Sequence, residues 1–420
     1  MNYFKYANGE LFCENIKVEE IAEYVGTPFY LYSMKTLKKH YTVFHEAFSP
    51  VPHIICFSVK ANSNLSVLKT FFDMGGGADV VSGGELYRAL KAGAPSEKIV
   101  YSGVGKTEEE IKYALGKNIL FFNVESEGEI YNLDKIAYSI KKKARIALRV
   151  NPDIDPRTHS YISTGLKENK FGIRIEEAKE MYIKAKKLNN IEIVGVDCHI
   201  GSQITEIEPF IQALKKVLSL IDQVKKEGIR INFLDLGGGL GITYKDETPP
   251  YPDIYAGKII NEIKTRDLNL ILEPGRAIVG NAGILVTRVL HTKKGEGKDF
   301  VIIDAAMNDL VRPSFYGSFH EIKPVKPTKR GEITADVVGP VCETGDFLAK
   351  KRKMQEVLPG ELLAVMSAGA YGFTMSSNYN SRPRVPEVMV MDDRYYIIRR
   401  RETYKDLIRG EEIPEELFKL

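Results

Sequence analysis

The chain has 420 residues, 44% of them hydrophobic and 27% charged, which is enough for two globular domains and too apolar for a disordered chain. Lys+Arg 59 against Asp+Glu 56 leaves a formal net charge of +3, so no strongly basic face points to nucleic acid or an anionic membrane; small molecules or other chains are the expected partners. The four cysteines, Cys13, Cys56, Cys198 and Cys342, form no CxxC pair and the histidines show no HxxxH spacing, which argues against a disulfide framework and a metal site.

The opening "YFKYANGELFCENI" carries an Asn-Gly turn between apolar-rich arms, so residues 1–33 are expected to form a hairpin that joins a later β-rich domain. It lacks a basic start followed by a long apolar run, and no later stretch approaches eighteen uninterrupted apolar residues. A soluble cytoplasmic protein is the expectation.

From about residue 53 to residue 276, short apolar runs alternate with helical stretches. Strands are expected at His53 to Lys60, Gly77 to Glu85, Ile99 to Gly103, Ile119 to Ser126, Arg145 to Asn151, Ile193 to Gln203, Phe233 to Gly239 and Leu270 to Arg276. Between two of them Phe210, Leu214, Val217, Ile221 and Val224 recur at three- and four-residue spacing, the apolar face of a helix. Eight such units fit an α/β fold, a (β/α)8 TIM-like barrel over residues 34–285. Beyond it, "GILVTRVLHT", "DFVIIDAAM", "ADVVGPVCE", "ELLAVMSAGAYG" and "EVMVMDDRYYIIRRR" read as strands without intervening helices, a C-terminal β-rich domain over 286–420.

A barrel of this kind works at the C-terminal ends of its strands, and those ends are chemically selective here. Strand one ends in Lys60, strand two in Asp79 to Ser82, strand six in "HIGSQ" from His199 through Ser202 to Gln203, strand seven in Gly237, Gly238 and Gly239, and strand eight in "EPGR", Glu273 to Arg276 with Gly275 between them. Each has a structural alternative: a lysine at a strand end reaches for water, Asp79 caps a turn, His199 is a satisfied core histidine, and the glycines permit a tight turn. Together they select one face repeatedly, which favours a cofactor site. Glycines after strand seven leave backbone N–H groups to converge on a phosphate, while the absence of GxGxxG and GxxxxGK[ST] disfavours dinucleotides and nucleoside triphosphates. A lysine, a phosphate cradle, a planar imidazole and a carboxylate are what pyridoxal 5'-phosphate needs as aldehyde partner, anchor, stacking face and partner for the pyridine nitrogen.

The stretches "FSVKANSN", "GADVVSGGEL", "HIGSQ", "LGGGLG" and "EPGR" resemble the fold-type III pyridoxal phosphate decarboxylases, which pair a barrel with a β domain as in alanine racemase. "RPSFYG", "GPVCETGD" and "AGAYGFTMSSNYNSRPR" look like the diaminopimelate decarboxylases among them, and the likeness runs in order over nearly the whole chain. Phe57 and Ser58 stand where the family more often writes Tyr-Ala.

The resemblance implies that Lys60 is the Schiff-base lysine and His199 the ring stacked on the cofactor. It also implies that Gly239 and the Glu273 to Arg276 turn hold phosphate and ring, with Glu273 facing the pyridine nitrogen. It assigns Arg276, Arg312, Tyr316 and Tyr371 to substrate or phosphate contacts, Glu343 to a substrate ammonium group and Cys342 to proton donation. It further implies meso-diaminopimelate as substrate, L-lysine as product and active sites shared across a homodimer. The polar segment "NPDIDPRTHSYISTGLKENKFG" after strand five reads as a lid over the site or as a plain connection. Decarboxylation of ornithine, arginine or carboxynorspermidine, racemisation, and cofactor binding without turnover remain alternatives on the same barrel. Glu273 speaks against a racemase, where an arginine near the pyridine nitrogen is expected.

Overall fold

The computed structural model describes residues 2–155 and 170–419. The central part of the expected lid, residues 156–169, lies outside them. The chain divides into two compact units, one of Met34–Ala282 with Gly369–Thr374, the other of residues 2–33, Gly283–Ala368 and the chain from Met375 on.

The first unit is a closed barrel of eight parallel strands: His53–Ser58, Gly77–Val80, Ile99–Tyr101, Phe121–Val124, Ala144–Asn151, Ile191–Asp197, Phe233–Asp235 and Asn269–Leu272. Closure is carried by the last strand on the first, with Leu270 opposite His53, and by the fourth on the fifth, with Phe122 opposite Ile146. A core of Cys56, Val100, Leu120, Phe121, Ala147, Val194 and Ile271 fills part of it. Helix Glu208–Lys226 buries Phe210, Leu214, Val217, Ile221 and Val224, the face its spacing marks.

Seven of the eight strands stop short of the ends expected from sequence, and the shortfall follows from their polar tails. The first ends at Ser58, and Val59–Ala61 wind into one 3-10 turn that carries Lys60. The second ends at Val80, because Ser82 caps helix Gly83–Lys91 by accepting from the Glu85 N–H at 3.2 Å. The sixth and seventh end at Asp197 and Asp235, before "CHIGSQ" and the glycines.

The second unit is β-rich. Its larger sheet follows the order Phe347–Gln355, Glu332–Val338, Lys298–Ile303, Gly283–Gly295, Phe29–Ser33, Glu387–Met391 and Arg394–Arg399. The opening hairpin turns at Asn8 and Gly9, with φ of 51° and 77°, and extends to a third short strand. The fully buried strand Phe29–Ser33 and the short helix Arg312–Tyr316 were not expected from sequence. This unit has its own core, in which Phe4, Leu11, Ile21, Phe29, Ile284 and Val388 meet. Among the described residues no helix is long and apolar enough to cross a membrane.

Candidate active site

The strand ends of the barrel bring Ser58, Lys60, His199, Ser202, Gly238, Gly239, Glu273, Gly275 and Arg276 around one pocket, which Tyr371 of the segment Gly369–Thr374 also lines. Lys60 Nζ donates to Asp79 Oδ2 at 2.8 Å, while its side chain keeps 37% exposure. Burial works against its charge, but Asp79 and Glu273 outweigh that and raise the lysine pKa well above its ordinary value. Ser58 Oγ donates to the same Asp79 oxygen at 2.7 Å. Asp79 Oδ1, fully buried, has no hydrogen-bond partner among the described residues.

Beneath the lysine the barrel gathers acids. Asp79, Asp197, Asp235 and Glu273 are all buried, and Asn123 Nδ2 lies 3.4 Å from Asp235 Oδ2 and 3.5 Å from Glu273 Oε1. Burial first, then the charges of Asp235, Asp79 and Asp197, push the Glu273 carboxyl well above the carboxylate range. Asp235, buried among the same groups, rises to about 6. Arg149 offsets part of this charge, with Nη1 3.2 Å from Glu125 and Nε 3.8 Å from Asp197. A site so rich in acid accepts a cationic N–H, and the ring nitrogen of a pyridinium is one.

The mouth of the pocket is suited to an anion and a flat ring. Arg276 Nη1 donates to the Tyr244 hydroxyl at 2.7 Å and Nη2 to Ser202 Oγ at 3.0 Å, and its guanidinium lies 4.9 Å from the centre of the Tyr371 ring. Tyr371 is held in the left-handed region, φ 56°, by its N–H on the Ala61 carbonyl at 2.8 Å. The His199 Nδ1 accepts from the Gly238 N–H at 3.2 Å, and burial, with Arg149 and Lys60 nearby, pushes its pKa well below the ordinary value, so the ring is neutral. The glycine turn differs from the sequence expectation: Gly237 gives its N–H to Asp235 Oδ1 at 2.9 Å and Gly238 to His199, so only part of the cradle is left for a phosphate. The glycines are needed for closeness. A Cβ at Gly238 would stand 2.3 Å from the Glu273 carbonyl oxygen, and one at Gly239, φ +106°, 2.5 Å from that of Gly201.

The β unit carries the other expected residues. Arg312 is buried at the start of its short helix, Tyr316 closes that helix, and Cys342 is exposed, its N–H on Asn380 Oδ1 at 2.8 Å. The Glu343 carboxylate accepts from the Tyr379 hydroxyl and raises that phenol's pKa. Sequence reading missed Ser58, Asn123, Arg149, Asp197 and Asp235. The available signal was a polar side chain inside a buried run, as in "FFNV", "RIALRVN", "VGVDC" and "FLDL".

A family model described as "Pyridoxal-dependent decarboxylase, pyridoxal binding domain" matches residues 34–280. A diaminopimelate decarboxylase of Vibrio cholerae is 52% identical over 97% of this chain and 98% of its own length. The Helicobacter pylori diaminopimelate decarboxylase, solved in complex with L-lysine, superposes with a TM-score of 0.91 at 46% identity, covering 94% of this chain and 98% of that one. The M. jannaschii enzyme, also with L-lysine, gives 0.94 at 40% identity over 99% and 98% of the two chains. With a lysine, a glycine turn and an arginine lining one pocket beside buried acids, and likeness of this extent, the chain belongs to the diaminopimelate decarboxylase family of pyridoxal-dependent decarboxylases.

Proposed function

We propose that this chain removes carbon dioxide from the D-configured centre of meso-2,6-diaminopimelate with pyridoxal 5'-phosphate and releases L-lysine, working in the cytoplasm as a homodimer with shared sites. The observation that carries the reading is Lys60 Nζ 2.8 Å from buried Asp79, above an acid cluster that includes Glu273. When bound, the cofactor supplies an aldehyde for a lysine and a pyridinium ring that takes up the electron pair left by carbon dioxide.

The chain's own residues do the rest. Lys60 must lose a proton before its amine can bond to an aldehyde, and Asp79 Oδ2, 2.8 Å away, holds the charged amine at the pocket until it does. Glu273 holds a proton at its carboxyl and can give it to a ring nitrogen, leaving a carboxylate that favours the charged ring. His199, neutral and flat, offers a stacking face that the Gly238 N–H holds in place, and Ser202, Gly239, Gly275 and Arg276 bind phosphate. Cys342 and Glu343 reach the site of Lys60 of the partner subunit, where Cys342 delivers the proton that replaces the carboxylate. At the unreacting end Arg276, Arg312 and Tyr316 donate to a carboxylate, Tyr371 packs beside Arg276 and Glu343 accepts from the ammonium.

Amino acids without that distal carboxylate leave the arginines unpaired, and a site built for a polar group rejects analogues lacking it by about 10⁴–10⁵. Product identification with meso-diaminopimelate, L-ornithine and L-arginine tests the reading: L-lysine from the first is expected to dominate. Comparable kcat/KM for L-ornithine would overturn it. Borohydride reduction followed by peptide mass spectrometry should place the cofactor on Lys60; any other lysine removes the assignment.

A further inference from the structure

His320 lies outside every role given above, yet it is fully buried and touches Arg312. Its Nδ1 is 2.9 Å from the Met366 carbonyl oxygen, which can only accept, so Nδ1 carries the hydrogen. Its Nε2 is 2.8 Å from Arg312 Nη1, which can only donate, so Nε2 presents its lone pair. The two contacts together fix one neutral tautomer. A doubly protonated ring would break the second bond and set two cations against each other in a buried place.

The ring itself is pinned. Arg352 Nη1 donates to the His320 carbonyl at 2.7 Å and its guanidinium stacks 4.0 Å from the Phe319 ring centre. The next strand, Ile322–Pro324, pairs antiparallel with Leu362–Val365, which leads directly to Met366, and the Met366 N–H bonds the Glu321 carbonyl at 2.8 Å. Ser318 Oγ accepts from Arg312 Nη2 at 3.3 Å on the same side. Both of these acceptors are neutral, and together they set the plane of the guanidinium.

We propose that His320 is a positioning and specificity-determining residue, which holds Arg312 in the orientation that grips the α-amino-acid carboxylate at the unreacting end of the substrate. The proposal rests on the distal-carboxylate reading of Arg312 given above. It predicts a loss confined to ligands that carry that carboxylate.

The test compares His320→Phe, which keeps the ring shape without nitrogens, with His320→Gln, whose amide can both donate to Met366 and accept from Arg312. KM and kcat for meso-diaminopimelate are measured in the cofactor-loaded enzyme, with inhibition by L-lysine, which retains the carboxylate, and by cadaverine, which lacks it. For His320→Phe, KM and the L-lysine inhibition constant should rise about tenfold to hundredfold, with kcat, cadaverine inhibition and the cofactor spectrum little changed; His320→Gln should recover most of the loss. If His320→Phe does not fold, His320→Asn, too short to span both partners, carries the same measurements. A folded variant whose KM and L-lysine inhibition stay within about twofold of the parent overturns the inference. In that case Arg312→Ala separates the two readings. Weakened L-lysine binding there preserves the distal grip and removes only His320, whereas an unchanged Arg312→Ala removes the grip itself.

Discussion

Asp235 is the residue in which the physical chemistry of the barrel is easiest to measure. Its side chain is fully buried, accepts from the Gly237 N–H and sits against Asn123 beside Glu273. Burial raises its pKa from 3.8 to about 6, so the folded apoprotein holds this proton more tightly than the unfolded chain does. The stabilisation is therefore complete below about pH 4 and is lost as pH rises through about 6. Asp235→Asn keeps an acceptor for Gly237 and never ionises. In the cofactor-free protein its Tm should match the parent near pH 4 and exceed it by several degrees above pH 7; a difference independent of pH would refute the picture of a proton held by buried Asp235. At this scale the sequence was legible where chemistry stands at a strand end. Lys60, His199 and Glu273 were visible because polar residues close apolar runs, whereas Asn123 and Arg149 lie one or more residues inside their strands and Asp235, the last residue of its strand, stands in an apolar run that continues to Leu236. Nothing in their neighbours' apolar character says which way a barrel strand turns its side chains.

The turn after strand seven shows what an element adds to its residues. Phe233–Asp235 is only three residues long, and the chain then passes so near strand eight that the Glu273 N–H bonds the Gly237 carbonyl at 2.8 Å. Gly238 has no room for a methyl group there, since the obstructing atom is the backbone oxygen of Glu273, the residue that follows strand eight. Gly238→Ala should push the turn off strand eight, at a cost of about 1–3 kcal/mol in stability. It should also weaken cofactor binding by at least about tenfold, because His199 and Glu273 lean on the same contact. Thermal unfolding and spectroscopic titration of apoprotein with pyridoxal 5'-phosphate measure the two effects, and a variant with unchanged cofactor affinity would show that the turn is not part of the cradle. All eight barrel strands could be placed from alternation of apolar runs and helical faces, because each run pays its own local signal in buried side chains. Their ends could not, since a serine or glycine tail looks alike whether it extends a strand, caps a helix as Ser82 does, or turns as Val59–Ala61 does. Strand Phe29–Ser33 was hidden for another reason: its ladder partners are Gly283–Val286 and Glu387–Val390, hundreds of residues away.

At the scale of the whole molecule the chain consists of a barrel unit and a β unit, each with its own core, and the expected chemistry is divided between them. Lys60, Asp79, His199 and Glu273 belong to the barrel unit, Cys342 and Glu343 to the β unit. Cys342 is exposed, an unusual setting for a thiol, and its backbone is tied to Asn380 rather than to a packed core. In its proposed role as proton donor this thiol needs a second surface to exclude water from it, and the proposed two-fold dimer would supply one by bringing the same patch of each copy to the other. In that arrangement every site takes Lys60 from one protomer and Cys342 from its partner. Lys60→Ala leaves no amine for the cofactor and Cys342→Ala no thiol for protonation, so each homodimer should be impaired, the second by about 10²–10⁴-fold. Mixed and allowed to exchange at equal concentration, half the dimers are hybrids with one site lacking both groups and one complete. Activity should then return to about a quarter of the parental value, the ceiling that two-fold symmetry sets. Cofactor content fixed by absorbance distinguishes recovered chemistry from recovered loading. Fully exchanged mixtures that stay as inactive as their parents would mean that Lys60 and Cys342 act within a single chain.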